Sequence, residues 1–289
     1  MKTHEPERDN VAIDCGNCGK WNVAHEPFEV VPQTWYVGTA ELSSVLVTGP
    51  NGHILIDGAL PQSVPQIEAN IKALGFELKD IKVIVNSHPH FDHAGGLAQL
   101  ARDTGATVMA SAAGAQVLQA GVIGSDDPQD DVGGNIHFPP VDKVRVLGDG
   151  EVIALGPLKV TAHMTPGHTR GGASYSWQSC GGAACVDVVY ADSMTAVASD
   201  GFYYSGDANK PDIVPVFAAS IAKVASLKCD VLLSAHPDFS DTFEKLAART
   251  KAHNTFIAPD GCKAYAAEAS ARLVKRVETE KQQKAARAK

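Results

Sequence analysis

His88-Pro89-His90-Phe91-Asp92-His93 places three imidazoles and one carboxylate within six residues, just after the apolar run Ile81–Val85. Neutral imidazole and carboxylate are ligand types that zinc prefers, and a catalytic zinc needs only three protein ligands because water takes its fourth position. Four candidate ligands in one turn are too many for a single tetrahedral ion and its water. The stretch therefore predicts two metal ions beside the end of a strand.

Two further histidines follow predicted strands in the second half of the chain. His168 lies in the turn Thr165-Pro166-Gly167-His168-Thr169, and His236 lies in Ser234-Ala235-His236-Pro237. Each alone is more typical of a turn residue, but beside the first cluster they supply the ligands that two metals still need. His163 is a weaker candidate, for which a core or supporting position is favoured. A surface or core position is the favoured interpretation for His4, His25, His53, His137 and His253.

The composition is that of an ordinary globular protein. The chain has 289 residues, of which 44% are hydrophobic and 20% charged, enough for one large α/β domain or two small ones. The net charge of −8 argues against a nucleic-acid partner, because proteins that bind the phosphate backbone usually carry a basic patch. The absence of an apolar run of about 18 residues argues against a membrane span.

Hydrophobic patterning predicts a mixed α/β fold with two sheets face to face and helices outside. An irregular arm is expected over residues 1–33, a single domain over 34–281 and a frayed basic tail over 282–289. Pro50-Asn51-Gly52 predicts a hairpin turn between two short strands, and Gly75 and Gly105 are plausible helix ends. The predicted strands are Thr34–Gly38, Ser44–Thr48, His53–Asp57, Ile81–Val85, Ala106–Ala110, Leu158–Ala162, Ala173–Trp177, Val186–Ala191 and Asp230–Ser234, and the predicted helices are Val64–Leu74, one beginning at Leu97–Ala101, Ile213–Leu227 and Lys263 to about Val277.

The six cysteines suggest disulfides. We expect Cys180 to pair with Cys185 around a short hairpin loop, and Cys229 to pair with Cys262, although connectivity does not follow from sequence alone. Cys15-Gly-Asn-Cys18 is compatible with a zinc knuckle, a redox motif or a local bridge. No second ligand pair lies nearby in the sequence and no predicted strand precedes it, which favours the bridge.

The first residues of the sequence are polar and lack an apolar signal core. The protein is therefore either cytoplasmic or an exported protein whose signal peptide has been removed. The even cysteine count favours the second alternative and predicts a periplasmic or secreted enzyme.

The motifs together resemble the metallo-β-lactamase superfamily. The resemblance rests on HxHxDH after a strand, PGHT at residues 166–169 and SAHP at 234–237, and it runs from about Trp35 to Arg276. Tyr190-Ala191-Asp192-Ser193 has a serine where the first subclass of zinc β-lactamases has a cysteine ligand. With the Cys180–Cys185 hairpin, this is similar to the third subclass of class B β-lactamases and implies a four-layered αβ/βα sandwich.

The resemblance implies a β-lactamase that binds two zinc ions. His88, His90 and His168 would hold the first ion, and Asp92, His93 and His236 the second. A metal-bound hydroxide, oriented by Asp92 as the catalytic residue, would attack the β-lactam amide without an acyl-enzyme, carbapenems included. Ser193 would help to position the substrate carboxylate or a metal-bound water, with Thr195 as a second hydroxyl contact. The enzyme is expected to be a monomer.

Three alternatives stay open. The first is another hydrolase of the same superfamily, such as a glyoxalase II-like thioesterase or a lactonase, which uses an aspartate near position 192 to bridge both metals. Whether Asp192 or Ser193 faces the metals is not decided by the sequence. The second is a nuclease, which the acidic pI of about 5.7 disfavours. The third is a structural zinc module, which is usually closed and rich in cysteine.

Overall fold

The structure of this chain is a computed structural model that describes residues 11–130, 136–182 and 184–287. His4, the first ten residues of the predicted arm and the last two of the predicted tail lie outside the described residues. Within these ranges the chain forms two sheets, one of seven strands and one of five. The strands of the first sheet, in spatial order, are β1 (Phe28–Val31), β2 (Thr34–Tyr36), β3 (Val45–Val47), β4 (His53–Ile56), β5 (Ile81–Val85), β6 (Thr107–Ser111) and β7 (Val144–Leu147).

The second sheet has the spatial order β12-β11-β10-β9-β8. Its strands are β8 (Val152–Leu155), β9 (Leu158–Met164), β10 (Ala173–Gly181), β11 (Ala184–Ala191) and β12 (Val231–Ser234). The helices are α1 (Cys18–Trp21), α2 (Val64–Ala73), α3 (Phe91–Ala94), α4 (Leu97–Thr104), α5 (Ala112–Ala120), α6 (Val214–Ser226), α7 (Thr242–Ala248) and α8 (Gly261–Arg287). Both sheets are mixed. Strands β4–β7 run parallel to one another, as do β11 and β12, whereas pairs such as β3–β4 and β10–β11 are antiparallel.

Three apolar clusters separate four layers. Successive side chains of a strand point to opposite faces, so Ile54 and Ile56 of β4 pack between the sheets while Leu55 packs outward against α2 and α4. In β11, Tyr190 likewise packs between the sheets, and Val189 packs outward against α6 and α8. The predicted two-sheet sandwich with helices on both outer faces is confirmed.

The structure contains three disulfides. Cys180–Cys185 and Cys229–Cys262 have the pairing that the sequence predicts, and the bridge that the sequence favours for Cys15 is made with Cys18. Within the described ranges, every helix is too short or too polar to span a bilayer.

Near both ends of the described chain, the structure is more regular than the sequence predicts. Residues assigned to an irregular arm include β1, which pairs antiparallel with β2. A frayed tail is predicted for residues 282–289, and α8 continues to Arg287 in the described part of it. Lys284 Nζ donates to Ser205 Oγ at 2.8 Å, and the Arg287 guanidinium lies 5.6 Å from the Tyr203 ring centroid, so these basic side chains have partners.

Candidate metal centre

Polar segments gather where the strands end. β4 and β5 run parallel, as do β11 and β12, so the carboxyl ends of each pair open on the same edge of a sheet. Asp57 follows β4, the His88–His93 stretch follows β5, Asp192 follows β11 and His236 follows β12. The turn between β9 and β10 adds His168.

His88, His90 and His168 form the first group. Each offers one ligand atom, and these atoms lie within 4.8 Å of one another, with all three side chains buried. The turn before His168 requires a glycine, because Gly167 has a φ of +153° and a Cβ there would lie 2.2 Å from the Phe217 ring.

Asp92, His93 and His236 form the second group. Ligand atoms of His88, Asp92 and His93 also lie within 4.8 Å of one another. His236 Nε2 lies 3.2 Å from His93 Nε2 and 3.4 Å from Asp92 Oδ2, although His236 is 143 residues from His93 in sequence. The structure thus brings together all six side chains that the sequence singled out as ligands.

In three of the histidines, the ring nitrogen that faces away from the centre has a protein partner at hydrogen-bond distance. His88 Nδ1 lies 2.8 Å from Asp192 Oδ1, His168 Nδ1 lies 2.8 Å from the Thr195 carbonyl oxygen, and His236 Nδ1 lies 3.1 Å from the Glu41 carbonyl oxygen. An acceptor at one ring nitrogen fixes the proton there and leaves the other nitrogen with a free lone pair. Neutral imidazoles held in this way fit a metal centre.

Two more carboxylates lie behind the centre. His90 Nε2 contacts Asp127 Oδ1 at 3.1 Å, whereas His93 Nδ1 lies 3.8 Å from Asp57 Oδ2, a looser approach. Asp57 is fully buried and accepts from the backbone N–H and hydroxyl of Ser87, from Asn86 Nδ2 and from the Tyr190 hydroxyl, which joins the two sheets.

The protonation states suit metal binding. Burial, together with the neighbouring His90, lowers the pKa of His168 to about 3, and burial with His93 lowers the pKa of His88 well below its ordinary value. Both rings are therefore neutral at pH 7. Burial alone would raise the pKa of Asp92, but His93 and His236 outweigh it and lower that pKa well below its usual range. Asp92 is therefore an anionic ligand.

His236 differs from the other rings. Burial lowers its pKa, but the hydrogen bond and charge of Asp92 outweigh burial, and the net shift is upward. In the absence of a cation, Asp92 therefore favours a protonated His236. A metal ion between them would take the place of that proton.

Asp192 and Ser193 face different ways. Asp192 is fully buried and contacts His88, whereas Ser193 lines the cavity in front of the centre. The buried Ser193 Oγ has no hydrogen-bond partner among the described residues. Thr195, the other predicted substrate contact, also lines the cavity, and its hydroxyl lies 3.1 Å from His168 Nδ1.

The cavity in front of the centre has a volume of about 610 Å³. One wall comes from the N-terminal arm, where Trp21 lies with its ring centroid 5.9 Å from that of His236 and 6.1 Å from that of Phe91. Trp21 is therefore both an anchor and a rim residue. The opposite wall includes Ile123, Gln129 and Phe138.

Sequence reasoning missed Asp57, Asp127 and Gln129. Asp57 had a usable signal, since it is a polar residue at the end of a predicted strand. Asp127 and Gln129 lie in a segment with no periodicity and no metal-binding spacing. His163, the weaker candidate, lies in β9 and bonds to Ser176 Oγ at 2.7 Å, apart from the six gathered side chains.

The comparisons with known proteins agree with this geometry. The model of the metallo-beta-lactamase superfamily matches residues 40–236, more than half of the chain. The chain belongs to the metallo-β-lactamase superfamily. It is therefore a hydrolase of that superfamily with a buried His/Asp metal-binding site.

Solved metallo-β-lactamases cover nearly the whole chain. Rm3 metallo-beta-lactamase is 46% identical with a TM-score of 0.89, covering 93% of this chain and 100% of its own. MEM-A1, a subclass B3 metallo-beta-lactamase from a soil metagenome library, is 46% identical with a TM-score of 0.87. The match covers 91% of this chain and 99% of MEM-A1. BJP-1, a subclass B3 metallo-beta-lactamase of Bradyrhizobium japonicum, is 32% identical with a TM-score of 0.84. The match covers 92% of this chain and 99% of BJP-1. The predicted membership of the third subclass is confirmed.

Among curated relatives the match is shorter. A hydroxyacylglutathione hydrolase of Maricaulis maris is 32% identical over 117 residues, which is 38% of this chain and 35% of that relative. A metal-dependent hydrolase of Staphylococcus aureus is 33% identical over 78 residues, 27% of this chain and 31% of its own length. The chain thus spans about a third of the length of these curated relatives.

Proposed function

We propose that this metallo-β-lactamase superfamily member is a zinc-dependent β-lactamase that hydrolyses the amide bond of β-lactam antibiotics, carbapenems included. One observation carries the proposal. Six side chains of the required types converge on one buried centre, in a chain that resembles subclass B3 enzymes over more than nine-tenths of its length. Fold alone would not suffice, because one scaffold hosts several chemistries.

We assign two groups of ligands. His88, His90 and His168 would hold one zinc ion, and Asp92, His93 and His236 a second. Three neutral ligands would leave the first ion its full charge, whereas Asp92 would reduce the effective charge of the second. When bound, zinc supplies a Lewis acid and lowers the pKa of water, so that hydroxide forms near neutral pH.

The protein's own groups complete the chemistry. Asp92 Oδ2 lies 3.2 Å from His93 Nε2 and 3.4 Å from His236 Nε2, where it would accept a hydrogen bond from the attacking water and orient it. The unpartnered Ser193 hydroxyl and the Thr195 hydroxyl lie on the cavity wall, where they would donate to the substrate carboxylate. Because water attacks directly, no acyl-enzyme is required.

The cavity suits a small amphipathic substrate. Its volume of about 610 Å³ lies in the range typical of pockets for drug-sized ligands. Trp21, Phe91, Ile123 and Phe138 provide an apolar rim around the polar centre. This combination fits a bicyclic ring with one carboxylate, and we propose no nucleic-acid partner.

Two further assignments follow. Three disulfides favour an oxidising compartment, so we propose that the enzyme acts in the periplasm or after secretion. We also propose that it acts as a monomer with a single catalytic domain, predicted at residues 34–281 and extended by β1 and the end of α8.

The thioesterase alternative has partial support from the hydroxyacylglutathione hydrolase match. A bridging aspartate near position 192 would have to face the metals. Among the described residues, Ser193 lines the cavity and Asp192 does not, and Asp192 instead contacts His88 Nδ1. This arrangement favours the lactamase.

A direct assay separates these activities. Purified protein should hydrolyse a carbapenem and a penicillin, lose both activities with a chelator, and regain them with zinc. A glutathione thioester and a simple lactone serve as competing substrates under the same conditions. Thioester turnover far above β-lactam turnover would reject the proposal, as would β-lactam hydrolysis that is indifferent to the chelator.

A further inference from the structure

One carboxylate joins the metal centre to the loop that walls the cavity. Asp127 lies after α5 in residues 124–130, which we call the α5 loop. Asp127 and His90 are each only 7% exposed, and Asp127 Oδ1 lies 3.1 Å from His90 Nε2. The contact occupies Nε2 and leaves Nδ1 as the ring nitrogen for a metal ion.

Asp127 Oδ1 also accepts a hydrogen bond from within the α5 loop. Asp127 Oδ1 accepts the Gln129 N–H at 2.8 Å, and the Asp127 N–H donates to the Gly124 carbonyl oxygen at 3.0 Å. Gln129 Nε2 in turn lies 3.3 Å from His168 Nε2. The α5 loop therefore contacts two of the three histidines in the first ligand group.

Further attachments of the loop lie at its outer side. Lys210 Nζ donates to the Ser125 carbonyl oxygen at 2.9 Å, the Ser199 N–H donates to the Pro128 carbonyl oxygen at 2.8 Å, and the exposed Arg170 pairs with Asp126. Exposed ion pairs stabilise by about 0–1 kcal/mol. The buried Asp127–His90 contact is thus a charged attachment that solvent does not screen.

We propose that Asp127 is a positioning residue that holds His90 for the metal, and that metal binding in turn fixes the α5 loop as a wall of the substrate cavity. A carboxylate behind a ligating imidazole orients the ring and raises its basicity. Without a metal, His90 can rotate, and the loop loses its inner anchor. This inference rests on the proposed metal centre but not on which substrate the enzyme cleaves.

The test compares two neighbouring aspartates on the same loop. Asp127→Ala removes the contact with His90, whereas Asp126→Ala removes only the exposed pair with Arg170 and is the matched control. Zinc affinity is measured on the purified full chain by competition with a chromogenic chelator. We expect Asp127→Ala to weaken at least one of the two zinc sites about 10–100-fold, and Asp126→Ala to leave both within about twofold.

Hydrogen exchange of a peptide covering the α5 loop gives a second readout that needs no turnover. In the parent protein, zinc should slow exchange in this peptide. In zinc-loaded Asp127→Ala, the peptide should exchange as in the zinc-free parent protein, because the loop is no longer tied to His90. Zinc affinity unchanged in Asp127→Ala, or loop exchange in the parent protein that zinc does not alter, would overturn the inference.

Asp127→Asn is a second variant that tests the same contact where the alanine variant does not fold. The amide oxygen can still accept from His90 and Gln129 without the charge, so we expect an intermediate loss of zinc affinity. An asparagine variant that binds zinc as the parent protein does would show that the carboxylate charge plays no part. A parent protein that binds zinc but leaves β-lactams intact would refute the proposed function alone, and the loop coupling would still be measurable.

Discussion

At the scale of single residues, His168 has both ring nitrogens assigned by its surroundings. Nδ1 bonds to Thr195, and Nε2 faces the centre, 3.3 Å from Gln129 Nε2. We predict that His168→Ala loses about one zinc ion per chain and hydrolysis of a chromogenic cephalosporin, because the first ion keeps only two protein ligands. Metal analysis and a spectrophotometric assay measure the two effects.

His163→Ala is the matched control for this variant. His163 lies five residues earlier, in β9, and bonds to Ser176 rather than to the gathered ligands. The His163→Ala variant should retain the zinc content of the parent protein. Turnover retained in His168→Ala would refute the role assigned to His168.

Ser193 illustrates a different kind of contribution at this scale. Its buried hydroxyl has no partner in the described part of the chain, and it faces the cavity. We predict that Ser193→Ala mainly raises KM for carboxylate-bearing substrates, with little change in kcat, because a binding contact is lost equally in the ground and transition states. Steady-state kinetics with bound-zinc determination test this, and a large loss of zinc would place Ser193 among the metal ligands instead.

At the scale of elements, α8 depends on one buried acid near its end. Glu280 is fully buried, accepts the N–H groups of Tyr204 and Ser205, and pairs with Arg276. Burial alone would raise the pKa of Glu280, but these hydrogen bonds outweigh it and lower the pKa below its ordinary value of 4.5. The ionised form therefore stabilises the fold at pH above about 4.5, and this stability is lost as pH falls through the folded-state pKa.

We predict that Glu280→Gln lowers the free energy of unfolding by about 2 kcal/mol at pH 7, because an amide cannot accept all of these donors. The loss should be smaller at pH 4, which lies below the ordinary value of 4.5 at which the unfolded chain titrates, and should shrink further as pH falls through the lowered folded-state pKa of Glu280. Urea unfolding at pH 7 and pH 4 measures this loss of unfolding free energy. Glu278 is an exposed acid on the same helix, so Glu278→Gln controls for effects common to any substitution in α8. Equal stability losses in the two variants would contradict the assignment.

Prediction from sequence succeeded where local patterns are strong. The β5 strand, the Gly105 helix end and the Pro50-Asn51-Gly52 turn carry periodicity or turn chemistry of their own. β1 and the last turns of α8 do not, because pairing with β2 and contacts with Ser205 stabilise them only in the folded chain. The same contrast between local patterns and tertiary contacts applies to the candidate metal centre. Ligand spacing revealed the six candidate ligands, whereas Asp127 acts through a contact across 37 residues that no motif encodes.

At the scale of the whole molecule, three apolar clusters pack the layers together, and one disulfide ties a helix to a sheet. Cys229–Cys262 closes 33 residues between the start of β12 and the start of α8, whereas Cys180–Cys185 closes five within a hairpin. We predict that replacing Cys229 and Cys262 by alanine lowers the free energy of unfolding by about 3–4 kcal/mol, and that replacing Cys180 and Cys185 lowers it by about 2 kcal/mol. The difference arises because the longer loop restricts the unfolded chain more.

Denaturant unfolding of the two double variants under oxidising conditions tests this order. The hairpin variant is the control for general effects of removing a bridge. A larger loss in the Cys180/Cys185 variant would show that native-state packing, rather than loop closure, governs the stability that the bridges provide.

The origin of the six gathered side chains has a consequence for biogenesis. Four come from the first sheet's loops, and His168 and His236 come from the second sheet's loops, with His236 following β12. No fragment that ends before residue 236 can assemble the full set, however well its own half folds. In the proposed two-zinc centre, the full ligand set can therefore form only once both halves of the polypeptide have docked.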